Sequence, residues 1–317
     1  MIEISAVIAT YERAFLLEGT LRALAAQKVP ESLEWEIVVV DNNSQDGTAN
    51  IVNTFSKTST IPVGYALEPR QGLSNARNRG IQEARGAIIA FIDDDVLPAP
   101  DWIVQVGATI DRWDAHGIGG RILPRWDAPP PLWLTRSQHF MDRLAIMDVD
   151  ESRVLSFPMK GRPQVWGANM AFRREVFDKV GGFDQAHGMV GTKLFRGEEV
   201  ELVNRALKHG LRIVYDPAVM VLHRIGEGRL QKGYFRKMEF DAAQGEIHAT
   251  SVERGSPVFG APLWLYPVVL MTFWKWAAMF LCRRPGAFDQ QLDWLRWTGR
   301  LFGYWKVGRE RRGHGRS

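Results

Sequence analysis

Four short apolar runs, separated by stretches of helical spacing, constrain the fold of this chain more than any other feature. Ile4–Ala9, Ile37–Val40, Pro62–Leu67 and Ala87–Ile92 are strand-length and apolar. Between them lie Phe15–Gln27, Ala49–Phe55 and Leu73–Ala84, the first with Leu17, Leu21, Leu24 and Ala25 on one helical face. Strands alternating with helices in this way predict an α/β fold with a mostly parallel sheet covered by helices. No internal repeat is present.

The fourth run marks where chemistry is expected. Bounded by Gly86 and Pro98, it ends directly in Asp93-Asp94-Asp95. A buried strand closing on three carboxylates brings three like charges to the rim of a sheet, which destabilises the fold unless something positive sits there. In open α/β sheets the carboxyl ends of the strands are also where ligands bind. Oxygen-rich clusters of this kind suit Mg²⁺ or Mn²⁺, and those ions suit diphosphates. Taken alone, the triplet fits equally well as a solvated acidic turn, with Asp101 as a second helix cap.

Composition narrows the class. A length of 317 residues allows two domains or one large α/β unit with an appendage, and 45% hydrophobic with 24% charged residues is ordinary for a globular protein. The single cysteine, Cys282, excludes an intramolecular disulfide and fits a reducing compartment. Met1-Ile2-Glu3-Ile4 runs straight into the first strand with no signal peptide, which predicts a cytoplasmic start. The net charge of +4 is uneven: Arg283 to Ser317 holds nine Lys and Arg against three Asp and Glu, so the preceding chain is slightly acidic. Such a tail predicts an anionic neighbour, membrane or nucleic acid.

Downstream of the triplet, periodicity lapses from Pro124 to Gln164, an irregular excursion containing Pro129-Pro130-Pro131. Order returns with a strand at Val165–Phe172, helices at Arg174–Val180 and Glu199–His209, and two short strands, Leu211–Tyr215 and Ala218–Leu222, the second closing on His223.

The order of motifs resembles the family-2 glycosyltransferases of the GT-A fold. The similarity rests on Val7-Ile8-Ala9-Thr10-Tyr11, Val38-Val39-Val40-Asp41-Asn42-Asn43-Ser44, Gly72-Leu73-Ser74-Asn75-Ala76-Arg77-Asn78 and the Asp triplet. It continues through Gly167-Ala168-Asn169, Gly181-Gly182-Phe183 and Gly197-Glu198-Glu199. Each motif is weak alone; together and in order they are specific. The resemblance implies a catalytic domain over residues 1–225, with a nucleotide-sugar half (1–120) and an acceptor half (121–225), followed by a helical extension (226–317).

The resemblance also implies roles. Tyr11 would stack on the nucleobase, with Thr10 and Arg13 beside it, and Asp41 would accept from a base N–H. Arg77 would reach the nucleotide, and Asp93 and Asp94 would line the donor. Asp95 and His223 would hold Mg²⁺ or Mn²⁺ against the two phosphates, where a cation neutralises the charge left when the sugar departs. Local alternatives stand beside each role: an Asx turn for Asp41, a turn aromatic for Tyr11, a solvated charge for Arg77 and a rim residue for His223. The family's Glu-Asp pair is Glu198-Glu199 here, so the general base is Glu199, one methylene longer. Glu198 and Glu201 are its rivals, and simple dipole complementarity at a helix start explains all three without chemistry. Trp166, Asn169 and Glu198 are acceptor-side candidates. Glu12 stands where the family has Asn.

The implied reaction is inverting transfer of one sugar from a nucleotide-sugar, UDP-linked by expectation, to a glycan or lipid-linked saccharide. The processive signature Gln-X-X-Arg-Trp is absent; the nearest stretch, Asp293-Trp294-Leu295-Arg296-Trp297, lacks the glutamine. The alternatives are a non-catalytic carbohydrate- or membrane-binding scaffold, and a nucleotidyltransferase, which would need a Gly-rich loop that Thr10–Leu16 does not contain.

The extension carries an apolar run, Leu263–Cys282, broken by Thr272 and Lys275. As a helix of about 30 Å it is long enough to cross a bilayer. Lys275 and the basic tail, which would then lie opposite the cytoplasmic domain, speak against crossing. In-plane attachment to the inner face of the cytoplasmic membrane, with the aromatic and basic segment Phe288–Trp305, is the expectation. A nucleic-acid partner is not expected, and a helical subdomain covering the sheet or forming a homodimer contact is the alternative.

Overall fold

The computed structural model describes residues 2–150, 152–158, 165–185, 197–249 and 260–314. They fall into two compact units that divide after Glu227.

The first unit opens with β1 (Ile4–Thr10), α1 (Ala14–Ala25), β2 (Trp35–Asp41), α2 (Thr48–Thr58), β3 (Val63–Leu67), α3 (Leu73–Glu83) and β4 (Ile88–Asp93). These are the predicted strands and helices, and β3-β2-β1-β4 lie parallel side by side. Val38–Val40 and Ile89–Ile92 are buried, as strands covered on both faces must be. Leu17, Leu21 and Leu24 bury the apolar face of α1 completely.

Beyond β4 the chain adds β5 (Val96–Pro98), α4 (Trp102–Arg112), β6 (Gly117–Trp126), α5 (Leu132–Thr135), α6 (Gln138–Arg143), β7 (Leu155–Ser156), β8 (Asn169–Arg173), α7 (Arg174–Val180), α8 (Glu198–Lys208) and β9 (Ile213–Ile225). Among the described residues the sheet has nine strands in the order β3-β2-β1-β4-β8-β6-β9-β5, with β7 on β9. It is mixed rather than mostly parallel. β8 inserts antiparallel between β4 and β6, and β5 and β7 pair antiparallel with β9. An antiparallel neighbour needs no covering crossover helix, so helical periodicity gives no warning of it.

The two short strands expected after residue 210 are one, β9. Its ladder with β6 jumps between Gly120 and Arg121, from Asp216 to Met220. Pro217 cannot donate to a ladder, and the resulting bulge reads in sequence as a break. The excursion after Pro124 is shorter than expected, because β6 continues to Trp126 and α5, α6 and β7 lie inside it. Residues 151 and 159–164 of that excursion lie outside the described ones.

The second unit holds α9 (Lys232–Ala249), α10 (Leu265–Leu281) and α11 (Ala287–His314). Gly299 and Gly303 let α11 approach α9 closely: a Cβ on Gly299 would lie 2.4 Å from the Phe240 carbonyl oxygen, and one on Gly303 2.8 Å from that of Gln244. On the α10 side, the Trp276 and Trp294 rings stack with centroids 5.1 Å apart and planes nearly parallel, and Ala261, Leu265 and Leu301 form a small core. As a helix, α10 has 17 residues, about 26 Å at the helical rise. Among the described residues no helix is long and apolar enough to cross a membrane.

Candidate active site

Register brings the sequence motifs to one end of the sheet. Thr10 pairs with Asp41 and Ala9 with Asp93, so β1, β2 and β4 all release their polar residues at the same edge. Tyr11, the next residue, is 37% exposed there, a ring available for stacking. Glu12 adopts a left-handed backbone, φ 54°. Asn tolerates that conformation best among non-glycine residues, which accounts for the asparagine of the resemblance. Here the Glu12 carboxylate accepts from the Gln45 N–H (2.7 Å) and the Ser44 hydroxyl accepts from the Glu12 N–H (3.0 Å), two bonds that hold the turn.

Asp41 is buried and accepts from the Ser44 N–H (2.8 Å) and the Tyr65 hydroxyl (2.9 Å). The alternative for it, an Asx turn to Asn43, is not the bond made: the carboxylate reaches the N–H three residues on, not two. Burial and the Asp41 carboxylate push the Tyr65 hydroxyl up to about 12, so it stays a donor. Asn42, not singled out from sequence, fastens the loop before α3: its amide donates to the carbonyls of Glu68 and Arg70 and accepts from the Gly72 N–H.

The Asp triplet divides into three environments. Asp94 is buried and accepts from the Thr10 hydroxyl (2.7 Å) and Arg13 (3.1 Å), so Thr10, Arg13 and Asp94 satisfy one another. The Thr20 hydroxyl, on the buried face of α1, lies 2.9 and 2.8 Å from the carbonyl oxygens of Asp94 and Val96 and fixes the backbone of the triplet. A polar residue within an apolar helical stripe was the available signal for it. Arg13 also reaches Asp95 Oδ2 at 3.3 Å; burial opposes its charge, but Asp94 and Asp95 outweigh burial and keep it protonated. Burial, against the pull of Arg13 and with the push of Asp95, raises the Asp94 carboxyl to about 7.

Arg77, expected to reach the nucleotide, is buried and engaged by two acids. It is 3% exposed, with Nη1 2.7 Å from Glu198 Oε1 and Nη2 3.4 Å from Asp93 Oδ1. Its guanidinium lies over the Phe183 ring at 5.5 Å, and a Cβ at residue 167 would come within 2.0 Å of Nη2, so only glycine fits there. Asn78 holds Phe183 by two bonds to its backbone, both 2.8 Å. The motifs around Arg77, Gly167, Phe183 and Glu198 are thus one packed cluster.

The three acids at the start of α8 are sorted by their partners. Glu198 is taken by Arg77, and Glu201 is forked by Arg205 at 2.6 and 2.7 Å. Glu199 is 6% exposed, and its Oε2 has no hydrogen-bond partner among the described residues. Burial and the Glu198 charge, against Arg77, raise its carboxyl to about 8. Asn169 is not available to an acceptor: its amide accepts from Trp102 Nε1 (2.9 Å) and donates to the carbonyls of Arg121 and Val219, binding α4, β6, β8 and β9 together. Trp166 is half-buried, and its indole N–H is buried with no partner among the described residues.

Glu199 and Asp94 hold protons when folded that they release when unfolded. Their stabilisation is complete below about pH 4, the unfolded value, and is lost as pH rises through about 7 and 8. Carboxylates held low, such as Glu36 and Glu68, are ionised throughout that window and add no slope. The melting temperature of the ligand-free protein is therefore expected to fall from about pH 5.5 to about pH 8.5. Glu199→Gln should flatten the upper part of that curve in a thermal-shift series.

The acidic end of the sheet fits a divalent ion. Asp93, Asp94, Asp95, Glu198 and Glu199 face two arginines, Arg13 and Arg77, an excess of negative charge that raises Asp94 and Glu199. Pairing of β5 with β9 sets His223 opposite Val96 and brings its Nε2 3.4 Å from Asp95 Oδ1. Two ligands of one octahedral ion stand about 3 Å apart, so Asp95 and His223 suit two positions of such a shell. Among the described residues no three His, Cys, Asp or Glu gather to hold an ion alone. The set therefore fits an ion completed by substrate oxygens, as Mg²⁺ commonly is.

The family profile "Glycosyl transferase family 2" matches residues 5–181, more than half of the chain. The chain belongs to glycosyl transferase family 2. This glycosyltransferase is 29% identical over 233 residues to the glucosyl-dolichyl phosphate glucuronosyltransferase of Haloferax volcanii, covering 72% of this chain and 71% of that one. Among solved structures, it resembles a Pyrobaculum calidifontis mannosyltransferase in complex with GDP-Man and Mn²⁺ (TM-score 0.57, 23% identity, 78% of this chain and 62% of that one). It also resembles S. aureus TarS 1-349 in complex with UDP (TM-score 0.52, 14% identity, 99% and 92%). Both likenesses are of fold, and they place the mixed sheet among GT-A structures.

Proposed function

We propose that this glycosyltransferase moves one sugar from a nucleotide-sugar, UDP-linked in the first instance, to a hydroxyl of a lipid-linked saccharide or related glycan, with inversion. One observation carries the reading. Of the three acids opening α8, Glu198 and Glu201 each hold an arginine, while buried Glu199 has no ion pair among the described residues and its carboxyl is raised to about 8. A base poised near the working pH is what proton abstraction from a hydroxyl requires.

Each residue then has a task in a single displacement. Tyr11 offers a face to the nucleobase, and the Asp41 turn shapes its pocket. Asp95 and His223 would hold Mg²⁺ or Mn²⁺, which when bound neutralises the diphosphate. Glu199 takes the acceptor proton, and the hydroxyl oxygen attacks the anomeric carbon from the side opposite the diphosphate. Arg77 keeps Glu198 and Asp93 in place on either side of the reaction. The Haloferax relative, a glucosyl-dolichyl phosphate glucuronosyltransferase, supports a lipid-linked acceptor, and the UDP in the TarS structure supports the choice of nucleotide. We place the enzyme at the inner surface of the cytoplasmic membrane, attached through its helical unit.

A diphosphate is doubly negative and does not enter an acid-rich site without a cation, so donor binding is expected to depend on metal. UDP- and GDP-sugars should raise the melting temperature with Mn²⁺ and lose the effect with chelator. Asp95→Asn should weaken that metal-dependent binding by at least the ~10–100-fold that loss of an outer-shell partner brings. Donor shifts that survive chelation, or that Asp95→Asn leaves intact, would remove the metal from this reading. Transfer from the stabilising donor to a lipid extract identifies the acceptor class; label appearing only in water-soluble glycans would exclude the lipid-linked one.

A further inference from the structure

In the helical unit, α11 is covered by α9 along one side and by α10 along another, but among the described residues α10 is covered along one side alone. Toward α11 it turns Leu265, Thr272 and the stacked Trp276. The opposite side is exposed at Leu263, Pro267, Leu270, Met271, Trp274, Ala278 and Leu281. These positions recur every three or four residues, so they form one stripe along the helix. Leu270, Met271 and Trp274 are 58–63% exposed and Leu281 is 79% exposed, far from the burial such side chains ordinarily find.

The charge around the stripe identifies what covers it. No Asp or Glu occurs between Leu263 and Phe288, while Lys275, Arg283 and Arg284 do, and all three are exposed. A second copy docking through this face would bring three cations against three with no carboxylate from the helix to pair them. An anionic lipid surface pairs all three while taking the apolar stripe into the headgroup boundary. Lys275 borders the stripe and can keep its ammonium among the headgroups while its stem lies along apolar surface. At 17 residues the helix is suited to lie in the interface rather than cross it.

We infer that the exposed stripe of α10, from Leu263 to Leu281 with Arg283 and Arg284 at its end, is the surface by which the enzyme docks in-plane on an anionic bilayer. The inference rests on the peripheral attachment proposed above and names the face that makes it. It leaves α11 as the support of α10 rather than a lipid-facing element, because the flanks of α11 are spent on its two neighbours.

The experiment is flotation of the full chain with phosphatidylcholine vesicles, with and without phosphatidylglycerol, alongside its mass by light scattering. Binding is expected with phosphatidylglycerol and should weaken with salt. Leu270→Glu with Trp274→Glu, both exposed and outside the catalytic unit of the chain, should reduce binding more than about tenfold. Arg283→Ala with Arg284→Ala should reduce it by roughly a factor of five per arginine. UDP-sugar hydrolysis should be unchanged in both, which separates this inference from the catalytic one. Flotation that survives the Glu pair would keep attachment and overturn the face. No flotation of the wild type overturns both. A dimer that the Glu pair dissolves, without vesicle binding, would assign the stripe to a second copy.

Discussion

Glu199→Gln is expected to lower sugar transfer by about 10²–10⁴-fold, the usual contribution of a positioned general base, while leaving Mn²⁺-dependent donor binding in place. The substitution is nearly isosteric. Because burial and Glu198 raise the native carboxyl to about 8, the ligand-free protein near neutrality already carries Glu199 largely protonated. A neutral amide therefore replaces a group that is mostly neutral, and the fold should hold. What disappears is the minority ionised form, the form that accepts the proton. The wild-type kcat/KM should accordingly rise with pH, reach half its plateau near 8 and level off above it, and the variant should lose that limb. Glu201→Gln breaks the ion pair with Arg205 and should cost stability rather than chemistry. Glu199→Asp restores the residue of the family pattern on a shorter arm and should recover part of the rate. Full transfer by Glu199→Gln, or a comparable loss confined to Glu201→Gln, would move the base elsewhere.

The sequence made the scaffold of this site legible and hid much of its wiring. Strands β1, β2 and β4 and the helices between them follow from apolar periodicity, because the strands are buried almost throughout and the helices turn one face inward. Strand β9 did not, since Pro217 interrupts a ladder that resumes at Met220. Helix α4 and strand β6, both in the unit's core, went without prediction, and α9 was expected only as part of a helical extension, without bounds. Among the site residues, proximity was legible and direction was not. Asp93, Asp94 and Asp95 are adjacent in sequence, yet the first shares Arg77, the second is closed by Thr10 and Arg13, and the third meets His223. Those partners lie far away along the chain, and only the fold brings them in. Arg77 was expected to reach the nucleotide, with a solvated charge as the alternative; neither signals its two acid partners, and the missing side chain of Gly167 makes room for it inside. Asn42 was overlooked because a polar side chain bonded to loop backbone leaves no pattern in sequence, whereas Thr20 left one, a hydroxyl within the apolar stripe of α1.

Removing Arg77 is expected to have the largest structural effect of any single change at this site. Arg77→Met leaves Glu198 buried at 3% exposure with its counter-charge gone, a change of the class that costs about 3–5 kcal/mol. Denaturant unfolding of the two proteins measures it. Glu198→Gln in the Arg77→Met background should restore part of the loss, since it removes the stranded charge. Arg77→Lys keeps the charge but cannot replace the fork. Nη1 serves Glu198 while Nη2 serves Asp93, and a single ammonium cannot occupy both positions. The Lys variant should therefore fold and still work poorly, which separates positioning from bulk stability. Its pH profile carries the decisive sign. Arg77 lowers the Glu199 carboxyl against burial and Glu198, so a cation held less closely lets that carboxyl rise, and the rising limb of kcat/KM should move to higher pH. A limb that stays in place in a folded Arg77→Lys enzyme would mean that the guanidinium supports the fold and leaves the base alone.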